Sequence, residues 1–205
     1  MKFLNRYFFA GVGTGCLLSV LLLVGVTLGF GYWASRNMDR LTEASEGGST
    51  LRVPEFPSSD QSLTAYGEAD WDWTLQTLDG EPLPFGEFRG QVVFLNFWAT
   101  WCGPCKRELP NLQALHDSLK PEGVTFLLVS KEDSETVQVF LEKEGYDMPF
   151  YIRTGKLPVD LQSRAIPTTF IIDSEGTIVF KETGARAWDD ESATAFLRRL
   201  LSEDG

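Results

Sequence analysis

One junction constrains this chain more than any other stretch. The apolar run Val92-Val93-Phe94-Leu95-Asn96-Phe97 leads into Trp101-Cys102-Gly103-Pro104-Cys105. A continuous run of that length predicts a central strand covered on both faces. The residues beyond it predict a helix that begins near Cys102 and is clearest over 108–119. Two cysteines separated by two residues, placed where a strand feeds a helix, can close a small disulfide ring and reopen it.

Disulfide exchange needs a thiolate on an accessible sulfur. A helix N-terminus supplies partial positive charge and free N–H groups, and both lower a thiol pKa. Cys102 stands at that terminus and is the expected nucleophile. Cys105 lies one turn on, on the same helix face, and is the expected resolving thiol. Pro104 is tolerated because first-turn residues need no N–H partner, and Gly103 leaves the sulfur uncrowded. A structural staple or a metal site is the competing reading. Zinc would need two further ligands, however. The third cysteine, Cys16, lies in a distant apolar run, and His116, the one histidine, is expected on the helix surface. No metal and no cofactor are therefore assigned.

The N-terminus sets the compartment. Residues 1–9 are basic, with Lys2 and Arg6, and no charged residue occurs over 10–33. About 20 apolar residues cross a bilayer core, so 10–33 is expected to form a transmembrane anchor or uncleaved signal. Tyr32 and Trp33 at its end suit the interface. Arg36 and Arg40 nearly balance Lys2 and Arg6; the free amine, Asp39 and Glu43 tip residues 1–9 toward the cytoplasm. Residues 34–67, rich in Ser, Thr, Gly, Glu and Pro, read as a flexible linker. Whether 51–56 docks on the domain as an extended strip stays open. All 29 acidic residues follow the apolar run, against 16 of the basic ones. Such a surface disfavours nucleic acid and anionic lipid.

The folded domain is expected over 68–205. Trp71, Trp73 and Leu75 alternate as one strand face, Asp79-Gly80 signals a turn, and 82–88 returns. Strands are expected over 92–97 and 124–129, with a short one over 149–153, and a hairpin about Ser174-Glu175-Gly176. Further helices are expected over 133–144, 159–164 and 190–201. The alternation gives an α/β sandwich with a mixed sheet.

Residues 94–110, FLNFWATWCGPCKRELP, resemble the active-site segment of the thioredoxin superfamily. About 68–201 is similar to its membrane-anchored TlpA/ResA-like branch of thiol–disulfide oxidoreductases. The kinking Pro110 and the second match, Ala165-Ile166-Pro167-Thr168-Thr169, belong to that resemblance. It implies a thioredoxin-like fold: a mixed β-sheet flanked by helices, with an N-terminal hairpin over 71–88 and a central insert around 133–164. It also implies a redox-active Cys102–Cys105 pair and a cis Pro167 facing it. Ile166, Pro167 and Thr168, with Trp101, Gly103 and Pro104, would then form the substrate-binding rim. Read without the resemblance, Pro167 is a proline before a strand, commonly trans.

Two positions tune the site. Asn96 stands where thioredoxin has a buried, proton-relaying aspartate and cannot titrate. Glu108 matches an acidic residue that the ResA-like proteins keep near the thiols; otherwise it reads as a solvated glutamate at a helix start. Lys131, at the end of the second strand, is not assigned to the site. The resemblance implies a periplasmic reductant on the inner membrane. It would draw electrons from an integral-membrane thiol carrier and reduce client disulfides, including those of apocytochrome c. The alternatives are a disulfide oxidase or isomerase, and a non-catalytic peptide-binding module of the same fold. A peroxidase lacks its Pro-x-x-x-Thr-x-x-Cys run here.

Overall fold

The protein is described by a computed structural model, which covers residues 51–58 and 63–203. Seven strands form a single mixed sheet. In chain order the elements are β1 (Thr74–Gln76), β2 (Pro82–Pro84), a 3-10 turn (Phe85–Phe88), β3 (Val93–Trp98), α1 (Gly103–Leu119), a 3-10 turn (Lys120–Glu122), β4 (Thr125–Ser130), α2 (Ser134–Glu144), β5 (Phe150–Arg153), β6 (Thr168–Ile172), β7 (Ile178–Thr183) and α3 (Glu191–Glu203). The sheet order is β2-β1-β5-β4-β3-β6-β7. β3, β4 and β5 are parallel to their neighbours in that trio, whereas β6 runs antiparallel to β3 and β7 antiparallel to β6. This is the thioredoxin-like α/β arrangement.

β3 lies at the centre with all six residues buried. Side chains alternate across a strand, so its two faces join different cores. Val93, Leu95 and Phe97 pack with Leu75, Phe85, Phe170, Leu157 and Leu161. Phe94 and Trp98 pack with Leu109, Leu112, Leu115, Val137, Phe196 and Leu197. Asn96 shares the register of Phe94 and Trp98. The buried hydrophobic residues of all three helices join that second core. The opposite face is covered by the N-terminal segment, where Trp71 and Trp73 stack on Phe85, and by the loop before β6.

Several expectations change. The helix expected over 159–164 is a pair of turns, Leu161 N–H to Pro158 O and Gln162 N–H to Val159 O. Ser163 Oγ donates to Ala165 O and accepts from Ala165 N–H, a local alternative to helical bonding. His116 is not on the helix surface: it is 3% exposed, with its ring edge against Phe126. It belongs to the inward stripe Leu112, Leu115, His116 and Leu119. The first hairpin is shorter than expected, because the paired strand starts only at Thr74.

The compact unit begins at Leu51, not near Glu68. Residues 51–56 dock as an extended strip. Arg52 bridges Arg186 and accepts from Ala187 N–H at 2.9 Å, and Phe56 stacks between Phe180 and Phe196. Among the described residues no helix is long and apolar enough to cross a membrane. The expected anchor, 10–33, and Cys16 lie outside the described residues.

Candidate active site

β3 ends at Trp98 and α1 begins at Gly103, so the cysteines emerge at the carboxyl end of the central strand. Cys102 is the N-cap of α1, and its Sγ accepts from Cys105 N–H at 3.2 Å. The two sulfurs are joined as a disulfide. Pro104 fills an early helical position, where its missing N–H costs nothing. Cys102 is 4% exposed and Cys105 1%. Trp101 stands beside them at 64% exposure, an open apolar surface on the rim. The preceding turn is tied down by Glu132, whose carboxylate accepts from Thr100 N–H, Thr100 Oγ1 and Ser130 Oγ.

The second sequence match meets the first in space. The Ile166–Pro167 bond is cis, and Ile166 O lies 3.8 Å from Cys102 Sγ. Thr168 opens β6, buried, and its hydroxyl donates to Ala165 O, holding the loop. Trp101 and Ile166 line one groove, so both motifs contribute to a common surface. Lys131, left unassigned from the sequence, also lines it.

Behind the cysteines lies a buried carboxylate. Glu108 follows Cys105 by one turn of α1 and is only 1% exposed. Its Oε1 accepts from Asn96 Nδ2 at 3.0 Å. Its Oε2 accepts from Arg186 N–H at 3.1 Å and Trp188 Nε1 at 3.2 Å. Burial pushes its pKa from 4.5 up to about 7, and the three donors pull back only in part. Glu108 is thus no solvated helix-start residue. Asn96 Nδ2 also reaches Thr169 Oγ1 at 2.9 Å, while Asn96 Oδ1 is buried without a partner.

Sequence reasoning missed Arg186, Trp188 and Thr169. Arg186 and Trp188 lie 78 and 80 residues beyond Glu108 and carry no local pattern, and Thr169, at the end of the second sequence match, reaches Asn96 from the neighbouring strand; only the fold brings the three together. Away from the cysteines, ligand atoms of His116, Asp117 and Asp147 lie within 4.8 Å of one another. Gln113 Nε2 already donates to both of these aspartates.

Comparison with known proteins fits this geometry. The AhpC/TSA family model matches residues 67–181. The chain belongs to the AhpC/TSA family. It is 33% identical over 169 residues to the thiol-disulfide oxidoreductase ResA of Halalkalibacterium halodurans, covering 82% of this chain and 84% of that protein. It is 28% identical over 186 residues to ResA of Bacillus subtilis, covering 90% and 88%. Among solved structures it resembles a thioredoxin-family thiol:disulfide interchange protein from Chlorobium tepidum, with a TM-score of 0.55 and 25% identity over 70% of this chain and 99% of that one. This family member is a ResA-like thiol–disulfide oxidoreductase, with Cys102 and Cys105 at disulfide distance.

Proposed function

We propose that this chain is a membrane-anchored, extracytoplasmic reductant of client protein disulfides. The observation that carries the reading is the placement of Cys102: at the cap of α1, 3.8 Å from Ile166 O, with the buried Glu108 one turn behind its partner. In the reduced enzyme the Cys102 thiolate attacks a client disulfide. A bond forms between Cys102 Sγ and one client sulfur; the other client sulfur leaves as a thiolate and takes a proton. Cys105 then gives its proton to Glu108 and attacks Cys102 Sγ. The mixed disulfide breaks, the second client sulfur leaves as a thiolate and takes up a proton as Glu108 releases the one it received, and the Cys102–Cys105 disulfide forms. The client gains two electrons and the enzyme loses two.

Glu108 suits the middle step because its pKa of about 7 lies close enough to a thiol's to share the proton. Asn96 serves both of its protonation states. Nδ2 donates to the carboxylate; a half-turn of the amide would offer the unpartnered Oδ1 to a protonated Glu108. The cis-proline loop offers an extended edge to the client backbone beside the sulfur.

The uncharged run over 10–33 supports the anchor, and the slight charge bias across it supports a domain on the far side, in the periplasm or its equivalent. There the oxidised pair must be reset, and an integral-membrane thiol carrier is the proposed donor. Apocytochrome c is the proposed client, on the resemblance to the membrane-anchored branch. Trapping tests the thiol roles. Cys105→Ala should accumulate covalent mixed disulfides with clients, and Cys102→Ser should abolish exchange. Trapping by Cys102→Ala and none by Cys105→Ala would reverse the two roles.

A further inference from the structure

The groove beside Cys102 carries a charge opposite to that of the whole chain. Its volume is about 290 Å³, and its apolar wall includes Phe97, Trp101 and Ile166. Three cations line it, Lys131 at the end of β4, Arg153 at the end of β5 and Arg164 in the loop before β6, and no carboxylate does. The formal net charge of the chain is −11, so a purely basic lining is not its surface average. An adjoining hollow shares Arg153 and adds Lys156, again without an acid.

The acids nearest in sequence are turned elsewhere. Glu132 is committed to Thr100 and Ser130, and Asp160 lies against Gly67. Among the described residues, none of the three cations forms an ion pair. Arg153 also keeps its Nε buried with no acceptor. Among the described residues no acceptor engages the Arg153 guanidinium, which leaves it available to an anion that enters the groove. A guanidinium presents a planar fork that matches a carboxylate.

We propose that this groove is an acid-selecting subsite of the client-binding surface. It takes a glutamate or aspartate side chain on an extended segment, a few residues from the client cysteine that Cys102 attacks. The proposal rests on the oxidoreductase reading, because only a client held at Cys102 and Ile166 brings its neighbouring residues into this groove. Three unpaired cations would attract such a segment and repel a basic one.

The test uses the full chain in detergent micelles, reduced and desalted. Three synthetic two-cysteine peptides closed as disulfides are compared, identical except for Glu, Gln or Lys at positions two and three residues from the cysteines. Single-turnover rate constants are read from the rise of peptide thiol. The expected order is Glu over Gln over Lys, with a Glu-to-Lys ratio of about tenfold at low salt that shrinks as salt is added. In Lys131→Gln/Arg153→Gln/Arg164→Gln the ratio should fall to about one. Arg164→Glu alone, on the exposed loop, should lower the ratio as well and stands in if the triple variant does not fold. A ratio near one in the native chain, or an intact ratio in the variants, overturns the subsite and leaves the oxidoreductase reading standing. No reduction of any of the three peptides overturns that reading and the subsite with it.

Discussion

Asn96 Nδ2 donates to Glu108 Oε1 at 3.0 Å, tying the central strand to the helix that carries both cysteines. The bond is buried, so it joins a residue that cannot titrate to one whose pKa stands at about 7. The acid of the site therefore resides on the helix, and the strand supplies the group that orients it.

Glu108 makes stability pH-dependent in a definite direction. Its folded pKa is raised, so the folded state holds this proton where the unfolded chain has released it. That contribution is complete below about 4.5 and is lost as pH rises through about 7. The loss for this one group is on the order of 3 kcal/mol. Glu108→Gln should remove it, so the variant should gain on the native domain between pH 5 and pH 8 in denaturant melts of the oxidised form. Parallel pH profiles for the two proteins would count against the burial of this carboxylate.

Removing either donor should push the Glu108 pKa higher. Asn96→Ala takes away the bond to Oε1, and Trp188→Phe the bond to Oε2, while the phenyl ring keeps the edge contact with Phe94. Each lost bond to a buried carboxylate should also cost about 1–3 kcal/mol above neutral pH. A carboxyl-labelled NMR titration reads the shift directly; a pKa that fell in either variant would contradict the assigned donors.

Phe56 should behave as part of the domain. It lies against Phe180, Phe196 and Trp188. Phe56→Ala should lower stability by about 2–3 kcal/mol, less than for a fully buried aromatic because the ring is only partly buried. A change below about 0.5 kcal/mol, the level of ordinary surface substitutions, would return residues 51–56 to the tether.

Much of the catalytic framework was legible because its signals are local. The run ending at Phe97, the two-residue spacing of the cysteines and the Asp133 and Gly145 ends of α2 are all short-range patterns. Asp133 does cap α2, accepting from Thr136 N–H, and Gly145 adopts the left-handed conformation at its end, with φ 79°. What stayed hidden depends on distant chain. The resemblance places Glu108 near the thiols, but Lys106-Arg107-Glu108-Leu109 gives no sign of its burial, which comes with Trp188 and the Arg186 backbone bonding to it from 80 and 78 residues away. His116 reads as a surface residue by its polarity, yet Leu112, Leu115 and Leu119 at i−4, i−1 and i+3 place it on the buried stripe. Leu157 and Leu161 have helical spacing, yet Ser163 and Pro158 set turns there.

The reduction potential of the Cys102–Cys105 pair tests the central claim most directly. It can be read by equilibrating the full chain with glutathione or dithiothreitol buffers and trapping the free thiols. The account predicts a value near the roughly −270 mV of thioredoxin, as a reductant of client disulfides requires. A value above about −180 mV would contradict it and make the pair a disulfide donor or isomerase.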